Sequence, residues 1–412
     1  MTGASIQQGR SGGAAVQRYP ALDELRGGAV IAVIAYHSLV STPAEAAATL
    51  DHVVNGVIMF LPNAIDLFFV ISGCLITLIL DRTREADHTI RTFYFRRALR
   101  IIPLYYALLL FAHIFLKYLG PTAFGPPGAA KWEWLLLTNV SLALHGPDGV
   151  GSLFPHFWSL AVEEHFYLVW PWLVILIRPQ RMIVVCVALA AGSVAGRVIL
   201  SFNGLAYASW LLTPTRLDGL ALGSAVALFH VYRPEILQRW AIPARRWGLI
   251  LLPVCILLLL IGVELSRLLS PEAHKQAVAT ATVVSPFFFS ITFALVVAAS
   301  VSRKKDGEPG PAGKLLRSIA RYSYGMYAFH VPLIVILFHS GRIPQAHLIG
   351  GSQLPYRLLF SLAILTLSYT AGLLSWHLYE KQMLKLAPSY RYSARDKSPS
   401  PREGELQAIP VP

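Results

Sequence analysis

Charged residues are scarce in this sequence: Lys, Arg, Asp and Glu together make up 14% of its 412 residues. Soluble domains carry about 25% charged residues, and 55% of this chain is hydrophobic, so the composition is that of an integral membrane protein. The net charge of +13 does not indicate nucleic-acid binding, because the basic residues lie in short segments between apolar runs, where they determine topology. We therefore expect the chain to contact a lipid bilayer and no nucleic acid.

Cysteine is rare as well. Cys74, Cys186 and Cys255 each lie within an apolar run, which argues against a disulfide framework or a metal cluster and favours small buried side chains. The sequence has no phosphate-binding loop, dinucleotide-binding motif, metal-ligand spacing or G-x-S-x-G motif, so we predict chemistry without a metal. It also lacks an internal repeat, which argues against a transporter built from two halves.

Ten apolar segments predict an all-α, polytopic membrane protein with about ten transmembrane helices. Each segment is about long enough to cross a hydrocarbon core of ~30 Å as a helix. We expect residues 1–18 to form a disordered leader, residues 19–386 the transmembrane domain, and residues 387–412 a flexible cytoplasmic tail. The predicted segments run near 22–40, 62–80, 101–119, 159–177, 182–201, 211–231, 247–265, 278–300, 319–340 and 357–379.

The distribution of Lys and Arg predicts the orientation of these helices. If the N-terminus is cytoplasmic, 27 of the 35 Lys and Arg residues fall on the cytoplasmic side. This bias follows the positive-inside rule, so we expect an even number of spans with both termini in the cytoplasm.

The first segment, LDELRGGAVIAVIAYHSLV, contains Arg26 and His37. Eleven helical steps of ~100° bring the two side chains back to one face, about 16 Å apart along the axis. A neutral histidine can act as a general base towards a hydroxyl, and an arginine suits a phosphate. The alternative is that Arg26 only marks the inner boundary of the membrane while His37 hydrogen-bonds to another helix.

A second basic group lies in FYFRRALRIIPLYY, where Arg96, Arg97 and Arg100 precede the third segment. Three guanidinium groups at a membrane boundary can bind a polyphosphate or a nucleotide. They also satisfy the positive-inside rule and can bind lipid head groups, so both interpretations remain open.

The stretch HFWSLAVEEHFYLVWP places Glu163 and Glu164 side by side within an apolar segment. Two adjacent carboxylates are not expected on a lipid-facing surface, so they are candidates for orienting a histidine or positioning an acceptor hydroxyl. Trp158 is an interfacial anchor or a surface on which a sugar stacks.

Other polar residues within apolar segments are candidates for substrate binding. Asp66 begins the second segment, where it either caps a helix or contacts substrate. Tyr324, Tyr327 and His330 recur at three-residue steps along the ninth segment and form a polar aromatic stripe. Arg216 and Asp218 in RLDGLALG are better explained by structural ion pairing.

Together these stretches, with DLFFVISGCLIT and SYGMYAFH, resemble the membrane-bound acyltransferase 3 family over residues 20–382. The resemblance implies ten core helices and transfer of an acyl group, commonly acetyl from acetyl-CoA, to a hydroxyl. It also implies that the family's essential Arg and His match Arg26 and His37. The family's implicated arginine cluster and acidic block then correspond to Arg96, Arg97, Arg100, Glu163 and Glu164.

We therefore expect an inner-membrane O-acyltransferase that uses cytoplasmic acyl-CoA, with acetyl-CoA favoured, and a carbohydrate acceptor such as an exopolysaccharide or O-antigen unit. In this hypothesis His37, Glu163 and Glu164 act in catalysis, and Arg26 with the arginine cluster binds acyl-CoA. The alternatives are a macrolide or other small-molecule O-acyltransferase and, in a different class, a glycan transporter or flippase.

Overall fold

The computed structural model describes residues 19–40, 49–267, 269–302, 309–339 and 352–386. This part of the chain is helical and contains no β-strand, in agreement with the predicted all-α class. The predicted leader, residues 1–18, and the predicted tail, residues 387–412, lie outside the described residues.

The described residues form sixteen α-helices. In chain order they are α1 (Pro20–Val40), α2 (Thr49–Ile58), α3 (Ala64–Arg82), α4 (Thr89–Phe115), α5 (Pro121–Phe124), α6 (Ala130–Trp134), α7 (Thr138–His145), α8 (Phe157–Leu176), α9 (Pro179–Phe202), α10 (Ala206–Ser209), α11 (Leu217–Tyr232), α12 (Pro234–Arg267), α13 (Pro271–Val301), α14 (Pro311–His339), α15 (Leu354–Ser375) and α16 (Lys381–Leu384).

Each of the ten predicted segments coincides with a helix, but the structure does not confirm ten membrane spans. Within the described ranges, five stretches are long and apolar enough to cross a membrane: Val54–Arg82, Thr89–Phe115, Pro179–Phe202, Val283–Val301 and Leu354–Leu384. Helices such as α1 and α8 carry the charged and histidine residues of the candidate site, which lowers their hydropathy. The count of about ten stays a prediction.

Helix α4 begins twelve residues before the predicted apolar segment, at Thr89 instead of near 101. Arg96, Arg97 and Arg100 therefore lie inside a helix of 27 residues and not at its start. The prediction placed the start too late because the arginines interrupt the hydrophobic pattern. Arginine is nevertheless a good helix former, so the helical backbone continues through them.

Close packing of α3 against α11 forms the centre of the described helices. A Cβ on Gly73 would lie 2.0 Å from the carbonyl oxygen of Leu220, and one on Gly223 would lie 1.9 Å from that of Val70. Only glycine allows the two backbones to approach this closely, as at other small-residue contacts between membrane helices. Helix α1 packs against α3, α14 and α15 on the neighbouring side.

Two fully buried ion pairs connect α3 and α9 with the start of α11, where Arg216 directly precedes the helix. Arg216 donates to Asp66 at 2.8 Å, and Arg197 donates to Asp218 at 2.6 Å. Arg216 and Asp218 are thus in ion pairs, but each has its partner on a different helix. Breaking such a buried pair would leave a charge without compensation, so these contacts restrain the packing of the three helices.

Candidate active site

A cavity of about 270 Å³ is lined by three arginines, and we call it the arginine cavity. Arg26 comes from α1, and Arg97 and Arg100 come from α4. Arg97 donates to the hydroxyl of Tyr167 and lies 4.1 Å from the centre of that ring. Neither Arg26 nor Arg100 forms a hydrogen bond or ion pair with another described residue. The cavity is therefore positively charged and suits a phosphate.

Glu163 and Glu164 are adjacent on α8 but have different surroundings. Glu163 lines the arginine cavity and accepts a hydrogen bond of 3.1 Å from the hydroxyl of Tyr167. Glu164 lines neither this cavity nor the second one described below, and its Oε1 has no hydrogen-bond partner among the described residues. Of the two glutamates, Glu163 thus lines the arginine cavity, whereas Glu164 lies outside it but close enough to Arg97 for a charge–charge interaction.

A second cavity, of about 770 Å³, is rich in aromatic side chains, and we call it the aromatic cavity. The rings of Trp158 and Trp210 lie 4.7 Å apart at its wall. Tyr36 and Tyr207 add further aromatic surface, and His37 lines the same space. Aromatic rings combined with a few polar groups are typical of a binding site for a small organic ligand.

The two cavities meet at Ile65, Ser159 and Tyr327, which line both of them. The Tyr327 hydroxyl donates to the carbonyl oxygen of His156 and lies 2.9 Å from Ser159 Oγ. These two hydroxyl groups, together with the apolar side chain of Ile65, therefore form the boundary between the basic cavity and the aromatic one.

His37 contacts His330 at the edge of the aromatic cavity, and their rings lie 4.9 Å apart. His330 Nδ1 lies 2.6 Å from the carbonyl oxygen of Tyr327, so this nitrogen is protonated and donates. His330 Nε2 then accepts from His37 Nδ1, at 3.2 Å. His37 Nδ1 also lies 2.9 Å from the carbonyl oxygen of Val33. Both contacts require a proton on His37 Nδ1, which puts the lone pair of the neutral ring on Nε2.

The predicted site residues fall into four groups. Arg26, Arg97, Arg100, Glu163 and Tyr324 line the arginine cavity, His37 and Trp158 line the aromatic cavity, and Tyr327 lines both. Asp66, Arg96, Glu164 and His330 line neither.

Asp66 and His330, which line neither cavity, are buried and contact other side chains of the protein. Asp66 is fully buried in its ion pair with Arg216, and fully buried His330 lies behind His37. Their predicted contact with substrate therefore gains no support from the geometry. His37 and Glu163 line different cavities, so the geometry gives no support to Glu163 as the group that orients His37.

Sequence reasoning missed His156, which lines the aromatic cavity and is 3% exposed. Its ring lies 4.9 Å from that of His330, so it belongs to the same histidine cluster as His37. The sequence feature that could have identified His156 is its position two residues before Trp158, in the stretch selected for Glu163 and Glu164. Among the described residues, no three His, Cys, Asp or Glu side chains form a group that could hold a metal ion.

The fold and the site define a helical membrane protein with basic and aromatic cavities that meet beside a histidine pair. The chain matches the acyltransferase domain family over residues 19–374 and belongs to that family. This confirms the resemblance seen in the sequence motifs.

The chain is similar to several bacterial O-acetyltransferases. The chain is 28% identical to the peptidoglycan O-acetyltransferase OatA of Listeria monocytogenes over 345 residues, which cover 77% of this chain and 49% of the relative. It is 27% identical to the putative peptidoglycan O-acetyltransferase YrhL of Bacillus subtilis over 340 residues, with 77% and 49% covered. The O-acetyltransferase OatA of Staphylococcus aureus is 27% identical over 348 residues, with 79% and 52% covered.

The chain therefore spans about half the length of these relatives. No solved structure gives a significant match.

Proposed function

We propose that this protein is an inner-membrane O-acyltransferase that moves an acyl group, with acetyl favoured, from cytoplasmic acyl-CoA to a hydroxyl of a carbohydrate. The observation that carries this proposal is the meeting of the arginine cavity and the aromatic cavity beside His37. A phosphate-bearing donor and a hydroxyl-bearing acceptor can thus reach one base from two directions. The proposal includes ten membrane-spanning helices with both termini in the cytoplasm.

The arginine cavity is the proposed site for the phosphates of acyl-CoA. Arg26 and Arg100 have no hydrogen bond or ion pair with another described residue, and the Nε of Arg97 has no hydrogen-bond partner among them. Guanidinium groups held this way bind phosphate strongly, because charge-assisted hydrogen bonds replace lost hydration. The axial distance of about 16 Å between Arg26 and His37 suits an extended donor whose thioester reaches the boundary at Ser159 and Tyr327.

His37 is the proposed general base. Its Nε2 takes the proton of the acceptor hydroxyl while that oxygen forms a bond to the acyl carbon and the carbon–sulfur bond breaks. The proton then passes to the departing thiolate, which leaves as the free thiol. Fixing the proton of His37 on Nδ1 is the role we assign to His330, in place of the carboxylate that the sequence suggested.

The aromatic cavity is the proposed acceptor site. Its tryptophan rings offer the flat apolar faces on which a sugar ring can stack, and its polar groups can bind hydroxyls. Relatives named as peptidoglycan O-acetyltransferases support a glycan as the acceptor.

The test is turnover of acetyl-CoA by the purified, detergent-solubilised protein with a panel of glycans, measured as release of free CoA and as mass of the acylated product. We expect His37→Ala to lower kcat by about 10²- to 10⁴-fold, the usual contribution of general acid–base catalysis, while acetyl-CoA still binds. The matched control is His113→Ala, because His113 lies on α4 and lines neither cavity.

Wild-type turnover by His37→Ala would remove His37 from the chemical step. If no glycan is acylated, the next experiment is a liposome flux assay without acyl-CoA. Passage of unmodified glycan across the membrane would then favour the transporter alternative.

A further inference from the structure

His156 is a buried polar side chain that faces the aromatic cavity. It is 3% exposed and stands at the start of α8, two residues before Trp158. Neither ring nitrogen has a hydrogen-bond partner among the described residues. The backbone carbonyls of Tyr327 and Ala328 approach the ring, but outside hydrogen-bonding geometry. The ring thus offers one donor and one acceptor that the protein does not use.

A buried polar group without a partner destabilises the fold, so such a group points to a ligand or to bound water. A neutral imidazole carries one N–H and one lone pair, and a hydroxyl can match either of them. The chemistry of the ring therefore fits the class of acceptor proposed above.

The position of His156 relative to His37 makes the inference more specific. Both rings line the aromatic cavity, and the centroid of each lies 4.9 Å from that of His330. The two rings can therefore be at most twice that distance apart. One sugar unit can contact both, with one hydroxyl at His37 and another at His156.

We propose that His156 binds a second hydroxyl of the acceptor and thereby selects which hydroxyl is presented to His37. This inference rests on the proposed function and deepens it, because it assigns a polyol acceptor and a determinant of regiochemistry. His156 binds substrate in this scheme, whereas His37 alone accepts the reacting proton.

The experiment is a double-mutant cycle between the protein and the acceptor. Wild type and His156→Phe are assayed with acetyl-CoA and methyl glycosides of glucose and N-acetylglucosamine, each compared with its monodeoxy analogues. For one analogue, wild type should lose about tenfold in kcat/KM, the value of one buried hydrogen bond. His156→Phe should lose that factor on the parent glycoside and should no longer distinguish the analogue from the parent.

Two further variants separate substrate binding from a structural role. His156→Gln keeps a donor and an acceptor and should recover part of the discrimination. His145→Phe, at the end of α7 and outside the cavity, should discriminate as wild type does. His156→Phe should keep or raise thermal stability, because it removes an unpartnered polar group.

The outcomes distinguish the two proposals. Wild-type acylation with equal discrimination by wild type and His156→Phe overturns the role of His156 and leaves the proposed function intact. A large loss of thermal stability in His156→Phe also overturns it, because the ring would then be structural. If wild type transfers no acyl group to any glycoside, both proposals fail together.

Discussion

The contact between His37 and His330 determines which ring nitrogen can act as a base. His330 is held by the carbonyl oxygen of Tyr327 at 2.6 Å, so its Nε2 can only accept from His37 Nδ1 while both rings are neutral. The carbonyl oxygen of Val33 strengthens the same preference from within α1. In the proposed mechanism His330 is therefore a positioning residue, comparable in role to the group that orients the base in a hydrolase triad.

We predict that His330→Phe lowers kcat about 10²-fold and leaves the KM for acetyl-CoA unchanged, because the tautomer of His37 is no longer fixed. His330→Gln supplies a side-chain carbonyl as acceptor and should recover part of the rate. Steady-state kinetics of both variants, with the concentrations of acetyl-CoA and of acceptor varied in turn, measure kcat and each KM separately. A raised KM for the acceptor at an unchanged kcat would instead favour the direct substrate contact that the sequence suggested.

Residue spacing predicts which side chains share a face of one helix, but it does not predict which side chains meet when different helices pack together. Arg26 and His37 are eleven residues apart, and the structure places them at two cavities that meet, as a shared face of α1 requires. His37 and His330 are 293 residues apart, and only the packing of α1 against α14 brings them together. The same holds for His156, whose importance comes from the cavity that it faces.

At the scale of elements, the register of α4 decides which arginines face the arginine cavity. Viewed along the helix, Arg100 is about 40° and Arg97 about 100° from Arg96. The structure puts Arg97 and Arg100 at the cavity wall and leaves Arg96 outside it. Sequence alone treats the three as one cluster, because it does not show which neighbour each side of α4 contacts.

We predict that Arg100→Gln raises the KM for acetyl-CoA about tenfold with little change in kcat, since it removes one charge-assisted contact to phosphate. Arg96→Gln is the matched control on the same helix and should change the KM by less than about twofold. The effect of Arg100→Gln should disappear with acetyl-pantetheine, which lacks the nucleotide phosphates. Equal effects of both variants on acetyl-CoA would contradict the assignment of α4 faces.

Across the whole molecule, hydropathy predicts the helices well, because an apolar segment in lipid must pair its backbone N–H and C=O groups internally and therefore forms a helix. It does not predict how the helices enclose space. The arginine and aromatic cavities are lined by residues from α1, α3, α4, α8 and α14. The aromatic cavity is also lined by the connection between α4 and α8, by Tyr207 of α10 and by Trp210 and Leu211, which follow α10. Their shared boundary at Ser159 and Tyr327 follows from that assembly. In the proposed function, a phosphate-bearing donor and a hydroxyl-bearing acceptor occupy different cavities on the two sides of this boundary.

This division requires that the arginine cavity open towards the cytoplasm, and cysteine labelling of intact cells tests it. On a background with Cys74, Cys186 and Cys255 replaced by alanine, we expect a membrane-impermeant thiol reagent to label Lys131→Cys, at an exposed position of α6. Asp87→Cys, in the exposed turn before α4, should be labelled only after permeabilisation, because the positive-inside rule places this basic segment inside. The background protein is the control for residual labelling. The opposite pattern would put the arginines on the outside, where cytoplasmic acyl-CoA could not reach them, and the proposed donor would be wrong.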